Sequence, residues 1–293
     1  MKCASDFRTI ARGALKGRWG LAVIAGLIAS LLDAIASSGP EIQFNYSDNG
    51  ASVNLMFANQ QVYSSSGGWL PELNAFIVGS AIYIMLAALL MSAIFFVLGS
   101  VISLGYSRFN LDLVDRRKDP DIGTLFGYFL HWKNAAIARL LETVYVFLWS
   151  LLLVIPGIVA SYSYAMTPYI LAEHPEIPAG EALATSKKMM DGNKWRLFCL
   201  GFSFIGWGLL CAAPTLIALF IVSRIAIETQ SLAVLLWIIP ASIPSYIGSL
   251  FLTPYQEAAW AAFYRDVSGT IVAPKAALPE SREIWEENSN GAI

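Results

Sequence analysis

The stretch NAAIARLLETVYVFLWSLLLVIPGIVASYSYAMTPYILA, residues 134–172, decides how this chain folds. As one α-helix it would extend about 57 Å, nearly twice the roughly 30 Å hydrocarbon thickness of a bilayer. Pro156 and Gly157 stand near its middle. The stretch therefore predicts either two membrane segments joined by a break at Pro156-Gly157 or one kinked helix.

The composition of the whole chain indicates that lipid is its solvent. Of the 293 residues, 56% are hydrophobic and only 14% are charged, whereas soluble domains carry roughly 25% charged residues. The mean hydropathy is +0.58. Long apolar runs cover residues 19–38, 74–104, 135–172, 197–222 and 231–264.

Lys and Arg orient these runs, because cytoplasmic loops of membrane proteins carry an excess of both. The loop 39–74 has neither residue and is predicted to lie outside. If residues 134–172 cross the membrane twice, Arg224 alone of the 19 basic residues lies outside. If they cross once, seven basic residues lie outside. The sequence thus predicts an all-α, polytopic helix bundle with about six transmembrane segments, at residues 19–38, 74–104, 135–155, 157–172, 197–222 and 231–264.

These segments form one predicted membrane domain, residues 1–273, with both termini in the cytoplasm. The Glu-rich residues 274–293 are expected to form a disordered cytoplasmic tail. The outer loop lacks helical periodicity, but Ala51 to Phe57 is suited to pairing as a short strand.

Three stretches on the predicted cytoplasmic side have the periodicity of amphipathic helices that lie on the membrane. The first has Ser5 as N-cap, the second covers residues 122–130, and the third runs from Pro178 to Asp191 and stops at Gly192. Cations on such helices attract anionic headgroups by roughly 1 kcal/mol each. The predicted headgroup contacts are Arg12, Lys16, Arg18, Lys187, Lys188, Lys194 and Arg196; the alternative is that they only set topology and depth.

Ionisable side chains at membrane depth are costly, so each is a functional candidate. The candidates are Asp33, Glu142 and Glu257. Interfacial solvation or a structural pair suits Asp33 and Glu142, whereas Glu257 lies deeper in the last segment. Pro240 and Pro244 interrupt that segment, where we expect a plain kink; the alternative is a broken helix that presents backbone groups to a substrate.

A weak repeat relates two parts of the chain. Leu148-Trp149, Pro156 and Thr167-Pro168-Tyr169 recur in order as Leu236-Trp237, Pro244 and Thr253-Pro254-Tyr255. Some transporters are built from parallel repeats of this kind.

Motifs of familiar chemistry are missing from the sequence. It has no phosphate-binding loop, no Gly-x-Ser-x-Gly elbow and no Cys-x-x-Cys pair, and its two histidines, His131 and His174, lack metal-ligand spacing. We therefore predict no catalytic residue, no metal, no cofactor and no enzymatic activity.

Several segments resemble a family of bacterial membrane proteins. They are residues 148–158 and 162–173, Glu181-Ala182-Leu183, Ser186, Met190, Gly192 to Trp195, Phe198, Ser203 to Trp207, Pro254-Tyr255, Ala262 to Tyr264 and, near the N-terminus, Ala11-Arg12, Leu15 to Gly17 and Trp19-Gly20. The family is called domain of unknown function 975 and is distantly similar to the membrane domain of some glycerophosphodiester phosphodiesterases. The resemblance implies a multi-pass protein of the bacterial cell membrane and supplies no catalytic residue.

Two functions agree with these patterns. The first is a non-enzymatic membrane module that organises or senses lipid or membrane partners. The alternative is a transporter of a small solute or lipid that uses the proline-broken last segment. The expected partners are membrane lipids and other membrane proteins, and nucleic acid is not among them.

Overall fold

Nine α-helices and three strands make up the part of the chain that the structure describes. The structure is a computed structural model, and it describes residues 2–37, 41–47, 50–57, 60–67, 71–116, 120–229 and 237–269. The helices are α1 (Ala4–Leu15), α2 (Trp19–Ser37), α3 (Pro71–Asp115), α4 (Trp132–Leu152), α5 (Val154–Tyr164), α6 (Thr167–Glu173), α7 (Ala179–Met189), α8 (Lys194–Thr229) and α9 (Ile238–Val267). Two short 3-10 helices, Ile122–Phe126 and Phe129–His131, lead into α4.

Three helical stretches are long and apolar enough to cross a membrane. They are Met85–Asp115, Ile122–Leu152 and Lys194–Ile225, and a fourth is counted if Ala4–Leu15 and Trp19–Leu32, bent by 104° at their junction, form one span. The helical fold class is thus confirmed, but length and composition do not establish six complete spans. Helix α5, with 11 residues, extends only about 16 Å and is too short to cross alone.

Helices α4 and α5 form a hairpin and not one kinked helix. In a continuous helix Tyr145 and Tyr164 would lie about 28 Å apart, but their ring centroids are 5.8 Å apart. The reversal occurs at Leu153, whose backbone is extended. The predicted break at Pro156-Gly157 was therefore misplaced by three residues. Pro156 lies in the first turn of α5, where a missing N–H costs no helical hydrogen bond.

Helices α8 and α9 lie antiparallel along most of their length. Side-chain contacts at three levels join Arg196 with Asp266, Phe204 with Tyr255, and Thr215 with Ser245. Between the first and the last of these levels α8 advances from residue 196 to residue 215, or about 29 Å. This distance matches the hydrocarbon thickness of a bilayer.

The amphipathic helices predicted at 5–16 and 178–191 are present as α1 and α7, but their apolar faces are covered by protein and not by lipid. In α1, Phe7 and Leu15 are fully buried, and the Phe7 ring contacts Phe263 of α9 with centroids 5.3 Å apart. In α7, Ala182 and Leu183 are buried in the same core. The periodicity identified the apolar faces correctly, whereas their partner is the rest of the bundle.

The ends of these helices follow local signals. Helix α1 is capped by Cys3 and not by the predicted Ser5, because the Asp6 carboxylate accepts a hydrogen bond from the Cys3 N–H at 2.7 Å. Gly192 follows α7 with φ +73°, a left-handed conformation that suits glycine, and confirms the predicted stop.

The remaining predicted amphipathic stretch, residues 122–130, forms the two 3-10 helices and not an α-helix. It divides its apolar residues between two surroundings. Leu125 is fully buried, whereas Leu130 is 91% exposed beside the half-exposed Phe126 and Phe129. This stretch therefore has an exposed apolar face, and its contact with lipid stays a prediction.

The outer loop carries a three-stranded antiparallel sheet in the order β1 (Glu41–Ser47), β2 (Gly50–Phe57), β3 (Gln60–Gly67). Strand β2 contains the predicted strand Ala51 to Phe57, which is confirmed. It pairs with β1 in the register Glu41↔Met56 and with β3 in the register Ala51↔Gly67. The predicted tail at 274–293 lies outside the described residues.

The charged end of the bundle is the place where the C-terminal ends of α3, α6 and α9 meet the N-terminal ends of α1 and α8. Arg265 of α9 is buried there between two carboxylates. Its Nε and Nη2 donate to the Asp115 carboxylate at 2.8 and 2.6 Å, and its Nη1 donates to Glu173. The Tyr264 hydroxyl donates to the other Glu173 oxygen at 2.7 Å. Burial opposes ionisation of Glu173, but the hydrogen bonds from Tyr264 and Arg265 lower the pKa of this carboxyl below its usual range.

A second network at the charged end joins α1, α8 and α9. Arg196 pairs with Asp266 at 2.5 Å, and Lys2 lies 3.7 Å from the same carboxylate. The Arg196 guanidinium also lies over the rings of Phe7 and Phe263, 5.7 and 5.5 Å from their centroids. Cation–π contacts of this kind add to the ion pair.

We expect Gly157→Ala to destabilise the protein by about 1–3 kcal/mol, because overpacking a tight contact forces the backbone to shift. A Cβ at Gly157 would lie 2.9 Å from the Ser150 Cα across the α4–α5 hairpin. The control is Gly206→Ala in α8, where a Cβ meets nothing within 4 Å. Thermal unfolding of the purified proteins measures the stability of both variants. Equal melting temperatures would contradict the hairpin.

We expect Arg265→Ala to cost about 3–5 kcal/mol, because it leaves two half-buried carboxylates without their shared cation. Arg265→Lys keeps the charge but not the fork of donors, so its loss should be smaller. Arg224→Ala, at an exposed position near the other end of α8, is the control and should change little. Denaturant unfolding in detergent tests the series, and an Arg265→Ala variant as stable as Arg224→Ala would refute the role of the network.

Candidate functional site

A cavity of about 780 Å³ lies inside the helix bundle, with walls from α2, α3, α4, α5, α6 and α9. Part of its wall is aliphatic, from residues such as Ile102, Leu104 and Val146. The polar lining is formed by Ser30, Ser100, Ser103, Tyr106, Arg139, Glu142, Thr143, Ser150, Ser161, Thr167, Thr253 and Glu257. Two of the three ionisable residues predicted at membrane depth, Glu142 and Glu257, therefore line the same space.

Glu257 lies in the middle of α9, two turns before Arg265. Its Oε2 accepts a hydrogen bond from the Tyr169 hydroxyl of α6 at 3.3 Å. The Tyr169 ring stacks on Tyr264 with centroids 5.5 Å apart, and Tyr264 in turn donates to Glu173. A continuous set of side-chain contacts thus connects the charged end to the cavity.

Two hydroxyls of residues that line the cavity with Glu257 are buried without a hydrogen-bond partner in the described part of the chain. They are the Tyr106 hydroxyl of α3 and Thr167 Oγ1 of α6, and both residues line the cavity. Asn110 approaches the Tyr106 hydroxyl without reaching hydrogen-bond geometry. Buried polar groups are nearly always satisfied, so a ligand or water in the cavity is the natural partner of both.

Gly26 of α2 permits the position of Tyr106. A Cβ at Gly26 would lie 3.1 Å from the Tyr106 hydroxyl, closer than most side-chain contacts. The small residue therefore lets α2 close over the tyrosine at the edge of the cavity.

Glu142 lies one turn after Arg139 on α4, and the charges of the two residues act on each other. Both line the cavity. The predicted pair was with a neighbouring helix, whereas Arg139 lies on the same helix as Glu142, so that role of Glu142 stays a prediction. The Asp33 side chain lies outside the described residues.

The last segment is one helix, so the alternative of a proline-broken helix is wrong. Helix α9 is continuous from Ile238 to Val267, with Pro240 in its first turn and Pro244 and Pro254 inside it. Membrane helices tolerate proline where neighbouring helices and hydroxyl side chains satisfy the freed backbone groups. Ser245 contacts Thr215 of α8 at 2.7 Å beside Pro244.

The two Thr-Pro-Tyr elements of the weak repeat meet at the cavity. Thr167, Pro168 and Thr253 line it, and Tyr169 is the partner of Glu257. Sequence reasoning did not single out Tyr106 or Thr167 as site residues. The repeated Thr-Pro-Tyr triplet was the one signal that pointed to Thr167.

The basic residues predicted to contact headgroups separate into two groups. Arg196 forms an ion pair with Asp266 and lies over two aromatic rings, so its guanidinium already has partners within the protein. The others lie on the outside of the charged end: Arg12, Lys16, Lys187 and Lys188 are exposed, and Arg18 and Lys194 are partly exposed. Their contact with lipid stays a prediction.

Within the described ranges, no group of three or more His, Cys, Asp or Glu side chains is arranged to hold a metal ion. The polar part of the cavity consists of hydroxyls, two carboxylates and one guanidinium. These side chains can form hydrogen bonds with a polar ligand and neutralise a charge on it.

Long apolar helices with exposed aliphatic side chains around a polar cavity define a multi-helix membrane protein. Residues 150–270 match the family model described as Protein of unknown function (DUF975). The match covers α5 to α9 and confirms the family expected from the sequence. No curated protein and no solved structure matches the chain.

Proposed function

We propose that this chain is a non-enzymatic membrane protein that binds a lipid or another amphiphile in its cavity. The observation that carries the proposal is the cavity itself, which combines an aliphatic wall with a cluster of hydroxyls and carboxylates. Its volume of about 780 Å³ falls within the roughly 300–1,000 Å³ of small-molecule sites. A lipid-sensing module, which the sequence favoured, has in this cavity a place to bind its lipid.

The position of the cavity supports entry of the ligand from the bilayer. Thr143, Phe147 and Ser150 line the cavity and are also exposed on the outer side of α4. The Phe147 side chain is 63% exposed among other apolar residues of that helix. A lipid facing α4 would therefore reach the polar cluster without passing through water.

The proposed arrangement in the membrane keeps all six predicted segments inside the bilayer, with both termini and the charged end at the cytoplasmic face. The tip of the α4–α5 hairpin, residues 151–155, is entirely aliphatic and between 65% and 74% exposed. The Leu153 N–H and C=O are both hydrogen-bonded, to Trp149 and Gly157. Since hydrocarbon accepts only satisfied backbone, we propose that this tip stays within the bilayer.

A transporter of a small solute or lipid is the second candidate, and the partly buried Glu257 in the last segment favours it. Alternating access requires openings towards both sides of the membrane. Three of the exposed lining residues, Thr143, Phe147 and Ser150, lie on α4, and Ser30 of α2 is exposed as well. Binding from the bilayer is therefore the better supported function.

Filling the cavity should remove the ligand. We expect Ser103→Phe to lower the amount of lipid that remains on the purified protein to about one tenth or less, because the ring occupies the space of the ligand. The matched control is Ser249→Phe on the exposed side of α9. Lipid extraction and native mass spectrometry measure the bound amount. A folded Ser103→Phe variant that retains as much lipid as the control would contradict the proposal.

Cysteine labelling tests the arrangement in the membrane. In a chain lacking Cys3, Cys199 and Cys211, Lys187→Cys should react with an impermeant maleimide only from the cytoplasmic side. Leu153→Cys should react from neither side, because hydrocarbon excludes the reagent, and Ser64→Cys in β3 serves as the outer control. Reaction of Leu153→Cys from outside would mean two full crossings, and reaction of Lys187→Cys from outside would reverse the orientation.

A further inference from the structure

We infer that the bound amphiphile carries a cationic headgroup of the primary ammonium type, with the Glu257 carboxylate as its counter-ion. The inference rests on the proposed function and names the ligand class of the same cavity. It follows from the charges of the lining residues and from the acceptors that surround Glu257.

The described lining of the cavity carries three charged side chains: Arg139, Glu142 and Glu257. Arg139 and Glu142 lie one turn apart on α4 and offset each other. Their neighbour across the cavity, Glu257, accounts for the remaining formal charge of −1. A ligand with a single positive charge therefore neutralises the cavity.

Glu257 has a neutral partner and no cationic one in the described part of the chain. Its carboxylate accepts from the Tyr169 hydroxyl at 3.3 Å, and neither an ion pair nor a nearby cation is found for it there. A buried carboxylate that keeps its charge requires a counter-ion, because charge is costly to place in a low-dielectric interior. The ligand is the group that can supply it.

The oxygen atoms that line the cavity have the chemistry to bind an ammonium group. Glu257, the Tyr106 hydroxyl and Thr167 Oγ1 line one cavity, and the last two are buried without partners among the described residues. Each of the three offers an oxygen lone pair, and a primary ammonium has three N–H donors to satisfy them. The remaining aliphatic wall accommodates an alkyl chain.

Other ligand classes fit the cluster less well. An anionic headgroup would be repelled by ionised Glu257, and beside a neutral hydroxyl the carboxyl must carry an unpaired charge or take up a proton. A bare metal ion would occupy a small fraction of the 780 Å³ and would find no cluster of three acidic, His or Cys side chains in the described ranges.

Three probes of equal chain length test the headgroup: dodecylamine, which is protonated at pH 7, dodecanol and dodecanoate. Native mass spectrometry of the full chain, released from non-ionic detergent, counts the bound molecules across a concentration series. We expect the wild-type protein to bind dodecylamine about ten-fold or more tightly than dodecanol, as a desolvated charge pair predicts. Dodecanoate should bind most weakly.

Glu257→Gln should abolish the preference for dodecylamine while dodecanol still binds, because the amide keeps the shape but not the charge. Glu257→Asp keeps the charge and should keep most of the preference. Glu181→Gln, which changes an exposed carboxylate on α7 outside the cavity, is the matched control.

The inference is overturned if wild-type protein binds dodecylamine and dodecanol equally, or if Glu257→Gln retains the preference. The wild-type comparison decides the matter even where the variant does not fold. Failure of the proposed function gives a different result. In that case either none of the three probes binds, or all three bind to the Ser103→Phe variant as well as to the wild-type protein.

Discussion

The buried guanidinium of Arg265 is the constraint on which the rest of the bundle depends. It joins the ends of α3, α6 and α9 by donating to Asp115 and Glu173 together. The cation offsets the cost of burying the two carboxylates. Tyr264, the neighbouring residue, extends the network to Tyr169 by ring stacking, and Tyr169 reaches Glu257. The position of α6, and with it one wall of the cavity, follows from this network.

The distribution of polarity connects the network to the proposed function. Charged side chains gather at one end of the bundle, aliphatic side chains cover the outside of α3, α4, α8 and α9, and hydroxyls with two carboxylates line the interior cavity. In a membrane such a molecule has a polar interior and an apolar exterior. A polar space inside hydrocarbon is costly to leave empty, which is the physical reason to expect a ligand there.

Much of the fold was predictable because its signals are local. Hydropathy located five apolar runs, and the distribution of Lys and Arg divided one of them, which gave the six segments that became α2, α3, α4, α5 with α6, α8 and α9. Gly192 marked the end of α7. The reversal at Leu153 was misplaced because Pro156 is as compatible with the first turn of a helix as with a turn. Periodicity identified the apolar faces of α1 and α7 but not what covers them, since Phe7 fits lipid and the Phe263 ring equally well.

The sequence by itself determined the solvent of this protein, the asymmetry of its charges and the cost of a carboxylate at Glu257. These properties depend on composition and on positions close together along the chain. Only the tertiary structure decided that Glu257 faces Tyr169, 88 residues away, and that Tyr106 and Thr167 share its cavity. Such contacts arise from the packing of α3, α6 and α9 against one another. No local pattern specifies which hydroxyls lie near a given carboxylate, because these contacts depend on how helices distant in sequence pack together.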